Sequence, residues 1–381
     1  MPVVQRAYKY RCYPTPEEQE ILARTFGCVR YVYNWGLRLR QDAWYQRQER
    51  INYNATSSLL TALKKQPEHA WLNEVSSVPL QQALRHLGTA FQNFWQGRAE
   101  YPNFKKKHHR QSAEFTRSGF QWDGENLVLA KTPGPLAIRW SRRFRGAPST
   151  VTVTRDACGR HFVSFLVEEE IMPLPPASTA IGVDLGLHDL CVASNGFKSG
   201  SPQYFRRYER KLARQQRAQA RKQKGSKNRA KARLKVARTH AKIADCRNDF
   251  LHKLSTKLIR ENQTIALESL AVKNMAQNRS LAKSISDAGW GEFCHHLQYK
   301  AQWYGRTVVC IDRWYPSSKR CFCCGWVKED LTLADRTWTC AECGTEHDRD
   351  VNASQNILAA GQAVLAFGED VSPVSDIGSP R

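Results

Sequence analysis

The sequence predicts an α/β core carrying one mainly helical and one mainly β accessory domain, and three observations predict it. Two short apolar runs far apart in the chain, Ala180-Ile181-Gly182-Val183 and Thr264-Ile265-Ala266-Leu267, each end in an acid, Asp184 and Glu268. A third acid, Asp350, stands in His347-Asp348-Arg349-Asp350-Val351-Asn352-Ala353 at the mouth of an expected helix. A cluster of cysteines lies between the second and third acids. Strands whose ends meet at one edge of a sheet would gather these carboxylates. Carboxylates gathered there suit Mg²⁺, and a pair of Mg²⁺ ions can activate a water and stabilise a leaving oxygen in phosphodiester cleavage. A strand that ends in an acid for solubility alone is the ordinary reading of any one of the three. The set, with its spacing, is harder to explain that way.

Residues Val3 to Tyr13 read as a strand. Thr15 then serves as an N-cap, Pro16 takes the first helical position and Glu18 closes a capping box. Ile21, Leu22, Phe26, Val29, Val32, Tyr33 and Leu37 follow with helical period. Further helix is expected over 55–65 and 79–95, so a helical block fills about 16–98, followed by a basic connector from Tyr101 to Arg110. Texture changes at 113–170: Val151-Thr152-Val153-Thr154 and Phe162-Val163-Ser164-Phe165-Leu166-Val167, separated by Asp156-Ala157-Cys158-Gly159, read as antiparallel strands of a small barrel or sheet. Pro173, Pro175 and Pro176 form a linker.

From Ala180 the pattern is a strand over 180–185, a strand over 189–194, a hairpin signal at Asn195-Gly196 and a third strand. A long basic helical region runs to about 260, then a strand to Glu268, a helix over 286–304 and a strand at Thr307–Asp312. After Asp350 a last helix runs to about Phe367. The tail 368–381 is rich in Ser, Pro and Gly and is expected to be disordered. Acids at the ends of the first and fourth strands and on a late helix make this order the RNase H-like layout.

Charge points to nucleic acid. A formal charge of +23 over 381 residues attracts a polyanion, with phosphate contacts supplying salt-dependent affinity. No apolar stretch approaches the roughly 20 residues that span a bilayer. Met1-Pro2-Val3-Val4-Gln5-Arg6 lacks a signal-peptide core and no lipidation motif is present, so a cytoplasmic protein is expected.

Five of the twelve cysteines crowd into 321–343, which is metal spacing in a reducing compartment rather than a disulfide scaffold. Cys321-Phe-Cys323-Cys324-Gly325 and Cys340-Ala-Glu-Cys343-Gly344 supply two CxxC knuckles, each followed by glycine. That is what a tetrahedral zinc site needs: Cys321, Cys324, Cys340 and Cys343, with Cys323 an extra thiol. A closed four-cysteine site is structural, so this zinc is assigned no chemistry. The region from Phe205 to Ile243 carries sixteen Lys or Arg and one acid, Glu209. A solvated face is the ordinary reading of such a run. Here the acids that would offset the charge at helical spacing are missing, so a polyanion is expected along it, with Arg214, Arg217, Arg221 and Lys222 as candidates.

The segments Gly182-Val183-Asp184-Leu185-Gly186, Ser284-Ile285-Ser286-Asp287-Ala288-Gly289-Trp290-Gly291-Glu292-Phe293, Tyr315-Pro316-Ser317-Ser318 and His347 to Ala353 resemble the TnpB family. These are insertion-sequence-encoded, RNA-guided DNA nucleases related to the ancestors of type V CRISPR effectors. The resemblance covers nearly the whole chain and weakens after about residue 365. It implies that Asp184, Glu268 and Asp350 are the RuvC catalytic acids and Mg²⁺ ligands. It further implies a wedge domain at 1–15 and 111–177 and a helical recognition lobe at 16–110. The RuvC-like nuclease domain would occupy 178–316 and 345–367, with a zinc ribbon inserted at 317–344. In the family the lobe reads a short motif beside the target. Base-edge reading needs polar donors and acceptors, which makes Tyr53, Ser57, Gln81, Gln82 and Thr116 candidates. Asp312 and Asp348 lie near the acids but off the family pattern, and are expected either to support those acids from behind or to be structural.

The resemblance therefore implies an element-derived guide RNA and target double-stranded DNA as partners. Beside one structural Zn²⁺ the acids would hold two Mg²⁺ at one site, and one complete site with no heptad pattern makes a monomer the simplest expectation. Division of labour between a protein-read motif and base pairing is the logic of RNA-guided recognition. Two alternatives stay open. One is a non-catalytic zinc-ribbon DNA-binding regulator of transposition, which the complete acid set disfavours. The other is an RNase H-like transposase or resolvase, since such carboxylates serve those enzymes too. The adjacent pairs His108-His109 and His295-His296 lack the His-hydrophobe-His pattern of single-strand transposases.

Overall fold

The computed structural model describes residues 3–332 and 334–367, and the expected disordered tail lies outside the described residues. The described residues divide into two compact units, which meet in sequence between Glu170 and Ile171.

In the first unit, β1 (Val3–Cys12) leads into α1 (Pro16–Arg47), α2 (Tyr53–Leu63) and α3 (Ser77–Trp95), then β2 (Gln111–Thr116), β3 (Phe120–Trp122), β4 (Leu127–Leu129), β5 (Ile138–Arg139), β6 (Thr150–Arg155) and β7 (His161–Glu170). The capping box starts α1: the Glu18 amide donates to Thr15 Oγ1 at 3.2 Å and the Thr15 amide to the Glu18 carboxylate at 2.8 Å. One five-stranded sheet has the order β2-β6-β7-β1-β5. The first strand therefore returns to the later sheet, pairing antiparallel with β7 from Val3↔Glu170 to Cys12↔His161. Helical block and sheet share one core, in which Leu22, Leu37, Leu84 and Leu87 are buried with Tyr10, Phe115, Val153 and Phe165.

The second unit runs β8 (Ala180–Asp184), β9 (Val192–Ala193), α4 (Tyr204–Ala220), α5 (Lys227–Glu261), β10 (Thr264–Glu268), α6 (Val272–Met275), α7 (Ala282–Ala288), α8 (Trp290–Tyr304), β11 (Thr307–Ile311), β12 (Thr337–Thr339), β13 (Glu346–Asp348) and α9 (Arg349–Phe367). Its main sheet has the order β11-β10-β8-β9, with β8, β10 and β11 parallel and β9 antiparallel at the edge. Apolar runs such as Ile265-Ala266-Leu267 suit central strands covered on both faces. Leu251, Leu254, Leu258 and Ile259 of α5 pack with Phe293, Leu297 and Ala301 of α8 in the core. On the sheet, Ile357 of α9 is buried with Ala266, Val309 and Ile311.

Four expectations change. The strand over 189–194 shrinks to Val192–Ala193, and the third strand to one bridge, Val192↔Lys198. The basic region is a hairpin of two helices, with Gly225 at φ +84° in the turn. The helix expected over 286–304 is two helices, because Gly289 sits at φ +71° where it ends α7 and opens α8. A left-handed residue cannot continue a helix, and glycine adopts that conformation without steric cost.

Candidate active site

Parallel pairing of β8 and β10, Ala180↔Thr264 through Val183↔Leu267, sets Asp184 and Glu268 at the ends of neighbouring strands. Helix α9 lies across this sheet and brings Asp350, in its first turn, to the same edge. Two glycines allow the close approach. At Gly182 a Cβ would collide with the Ser354 carbonyl oxygen and stand 2.6 Å from the Leu358 amide nitrogen. At Gly361 it would stand 2.6 Å from the Ala266 Cβ. Asp348 caps the helix, its Oδ1 accepting from the amides of Asp350 at 3.1 Å and Val351 at 3.0 Å, while its Oδ2 pairs with Lys198 Nζ at 2.6 Å. The off-pattern Asp348 thus has a structural task, as does Asp312, which accepts from the Trp314 amide at 2.7 Å.

Asp184 feels the other two acids. Asp184 is pushed up to about 7, first by burial and then by the charges of Glu268 and Asp350, with Arg349 opposing. Burial also raises Glu268, against a 3.4 Å hydrogen bond from the Ser317 hydroxyl. Asp350 Oδ1 accepts from Arg349 at 2.8 and 2.9 Å, and Oδ2 lies 3.5 Å from Arg336 Nη1. Three carboxylates at one sheet edge offer the all-oxygen donor type that a hard divalent cation takes, although among the described residues only the four cysteines have ligand atoms all within 4.8 Å of one another. The residues present fit Mg²⁺.

Cys321, Cys324, Cys340 and Cys343 come together, their Sγ atoms all within 4.8 Å of one another. The Cys321–Cys343 and Cys324–Cys340 separations are 3.7 and 3.5 Å, close to the roughly 3.8 Å edge of a tetrahedron with Zn–S bonds of about 2.3 Å. Cys323 is exposed and outside the group, and none of the cysteines is in a disulfide. His347 Nε2 approaches Cys321 Sγ at 3.0 Å. Helix α9 anchors the knuckle: Asn352 accepts from the Phe322 amide at 3.0 Å and donates to the Arg320 carbonyl at 2.7 Å. Asn356 donates to the same carbonyl at 2.6 Å and to that of Ser317 at 2.9 Å. The cysteine site and Asp350 are therefore held by one helix.

The nucleic-acid candidates fall in several places. Tyr53 opens α2, half-buried under the Arg85 guanidinium at 5.1 Å, with half-buried Ser57 one turn later. Gln81 is exposed on α3 and Thr116 half-buried at the end of β2, but Gln82 faces the core. Arg214, Arg217, Arg221 and Lys222 are exposed along α4 and just past its end. Arg229 is spent otherwise, its Nη1 donating to the Lys222 carbonyl at 2.7 Å, and Glu209 pairs with Lys283 at 2.5 Å. Sequence reading overlooked Ser317, Arg336 and Arg349 as partners of the acids, and Gly182 and Gly361 as seats for α9. Ser317, Arg349 and Gly182 lie in segments that carried the resemblance, whereas Arg336 gave no signal.

Carboxylates at the edge of a parallel sheet beside a four-cysteine cluster define a candidate carboxylate metal site with a metal-binding ribbon. Family profiles match this chain at 164–279 (OrfB_IS605, "Probable transposase"), at 290–357 ("Cas12f1-like, TNB domain") and at 1–49 (OrfB_IS605, "Helix-turn-helix domain"). A Streptomyces pristinaespiralis protein provisionally named an RNA-guided DNA endonuclease is 55% identical over 376 residues, 98% of this chain and 93% of the relative. The Escherichia coli K12 protein InsQ, provisionally named likewise, is 34% identical over 384 residues, 96% and 94% of the two chains. The chain belongs to the TnpB (OrfB_IS605) family. Its fold resembles that of Cas12f1 solved with single-guide RNA and target DNA, at a TM-score of 0.57 and 13% identity over 93% of this chain and 98% of that one. Among the described residues no helix is long and apolar enough to cross a membrane.

Proposed function

We propose that the protein is an RNA-guided, Mg²⁺-dependent DNA endonuclease of a transposable element, cutting target DNA beside a short protein-read motif with a single RuvC-type site. The observation that carries this reading is the placement of Asp184, Glu268 and Asp350 at one sheet edge, where burial and then the charges of the other two acids push Asp184 up to about 7. Two relatives that match nearly the whole chain are provisionally named RNA-guided DNA endonucleases, which supports it. So does the strand order β11-β10-β8-β9, three parallel strands with an antiparallel one at the edge, which is compatible with an RNase H-like domain.

Mg²⁺ bound here would activate a water and stabilise the leaving oxygen at the scissile phosphate. Asp184, Glu268 and Asp350 supply the ligand oxygens. The Ser317 hydroxyl orients Glu268, and the Asp348 cap with the two glycine seats fixes Asp350. Arg336, 3.5 Å from Asp350, and Arg349, 2.8 Å from it, place positive charge beside this carboxylate, where a scissile phosphate would also meet it. The four cysteines would hold one structural Zn²⁺, and Asn352 and Asn356 tie their knuckle to α9.

In the first unit α1–α3 act as the recognition lobe, with Tyr53, Ser57, Gln81 and Thr116 reading the motif, and the five-stranded sheet acts as the wedge. The exposed stripe Arg214, Arg217, Arg221 and Lys222 tracks RNA phosphates. The protein works as a cytoplasmic monomer on an element-derived guide RNA and double-stranded target DNA. Sequencing the RNA that copurifies with the chain, from a cell carrying its element, tests the reading. One discrete species mapping to the element's end is expected. Absence of bound RNA favours a transposase or resolvase, which would use the same carboxylates.

A further inference from the structure

Between the C-terminal ends of α1 and α3 the first unit has an open cleft of about 190 Å³, smaller than most drug-sized ligand sites and of a size for one flat ring. Arg40 forms its floor. This residue is only 9% exposed, and its Nε has no hydrogen-bond partner among the described residues. Burial lowers its pKa with no carboxylate opposing. The guanidinium lies 5.3 Å from the centre of the Phe91 ring. At the mouth, Arg50 stands 5.6 Å from the Trp44 ring and 5.7 Å from the Trp95 ring, and these two indoles are 41% and 59% exposed. Tyr101 closes one side, edge-on to Phe91 at 5.6 Å. Glu49 also lines the cleft, but its carboxylate is paired with Arg47 at 2.8 Å.

A buried cation without an anion is costly, and large aromatic faces left in water forgo their burial. Both costs fall together if the occupant has a flat ring beside a negative charge. We infer that this cleft takes one unpaired nucleotide of a bound nucleic-acid strand, its base stacked against Trp44 and Trp95 and its phosphate on Arg40 and Arg50. A base inside a duplex offers no free face, so the nucleotide must be unpaired, and stacking on aromatics tolerates any base. The net charge of +23 favours a strand over an acidic peptide. The inference rests on the reading of the chain as a nucleic-acid-binding protein.

The test uses the full chain and single-stranded decamers alternating 2-aminopurine with a pyrimidine, in separate RNA and DNA arms. Anisotropy reads total binding across a salt series, and 2-aminopurine fluorescence reads stacking. Against wild type, Trp95→Leu and Arg40→Met are expected to lose most of the binding-induced quenching and to weaken binding about tenfold in at least one arm, which names the strand. Arg40→Met is also expected to melt no lower than wild type, because the substitution removes an unpaired buried charge. Unchanged quenching in both variants, or a lower melting temperature for Arg40→Met with unchanged binding, overturns the inference while leaving the functional reading intact. Absence of salt-dependent binding to either strand in wild type overturns both.

Discussion

Gly182→Ala tests whether α9 positions the third acid. The new Cβ would meet main-chain atoms, the Ser354 carbonyl oxygen and the Leu358 amide nitrogen 2.6 Å away, whereas ordinary contact begins at 3.4 Å. Neither atom belongs to a flexible side chain, so the helix must retreat from β8 by roughly 1 Å, at a typical overpacking cost of about 1–3 kcal/mol. Asp350 lies in the first turn of that helix, only four residues before Ser354, and moves with it, while Asp184 stays on the strand. A misplacement of about 1 Å in a catalytic group costs on the order of 10²-fold in rate. Single-turnover cleavage by the RNA-loaded variant should therefore fall about a hundredfold, with RNA affinity within a factor of two or three of wild type. Thermal melting in the same preparations separates misplacement from unfolding. A variant that melts lower yet cuts at the wild-type rate would refute the positioning argument, because α9 would have moved without consequence.

Three further outcomes follow from the same geometry. Metal analysis should find one Zn²⁺ per chain, and Cys340→Ser should destabilise the ribbon and slow cutting through Asn352 and Asn356, since metal-binding energy is folding energy in such modules. Cys323→Ser should be mild, and a larger loss from it than from Cys321→Ser would move the ligand set. Changing Arg214, Arg217, Arg221 and Lys222 to Gln should weaken RNA binding and flatten the slope of log affinity against log salt by roughly 0.7–0.9 per lost contact. An unaltered slope would make the stripe a solvated face. Finally, raising Asp184 from 3.8 to about 7 means the native state holds a proton that the unfolded chain releases. The stability this group contributes to the metal-free protein is thus fully present below about pH 4 and lost as pH rises through about 7, by at most about 4 kcal/mol. Mg²⁺ should restore it above pH 7, and denaturant titrations of Asp184→Asn should lack both effects; an equal pH dependence in that variant would contradict the assignment.

Much of this site was legible in the chain because each acid ends or begins a regular element. Ile181-Gly182-Val183-Asp184 and Ile265-Ala266-Leu267-Glu268 are short apolar runs whose last residue must leave the core, so both strand ends could be read without a structure. The CxxC knuckles were equally readable, since their spacing is set by the metal geometry they fit. What escaped depends on tertiary approach. Nothing local to Arg336 tells that it reaches Asp350 at 3.5 Å, and Gly182 reads as a strand glycine until a helix backbone is laid on it. The break at Gly289 was hidden by helical pattern on both sides, because one left-handed residue leaves no trace in hydrophobic period. Gln82 and Gln81 look alike in sequence, but α3 turns the first inward and the second to solvent.

The most direct test of the central claim is cleavage of a DNA duplex library by the chain loaded with its copurified RNA. Half the library should carry the sequence complementary to the RNA guide segment, with randomised flanks. With Mg²⁺, the wild-type protein is predicted to cut only matched duplexes bearing a particular short flank. EDTA, Asp184→Ala, Glu268→Ala and Asp350→Ala should each abolish cutting while RNA and target binding persist. Cutting that ignores the match, or that survives at the wild-type rate in any one of the acid variants, would contradict it.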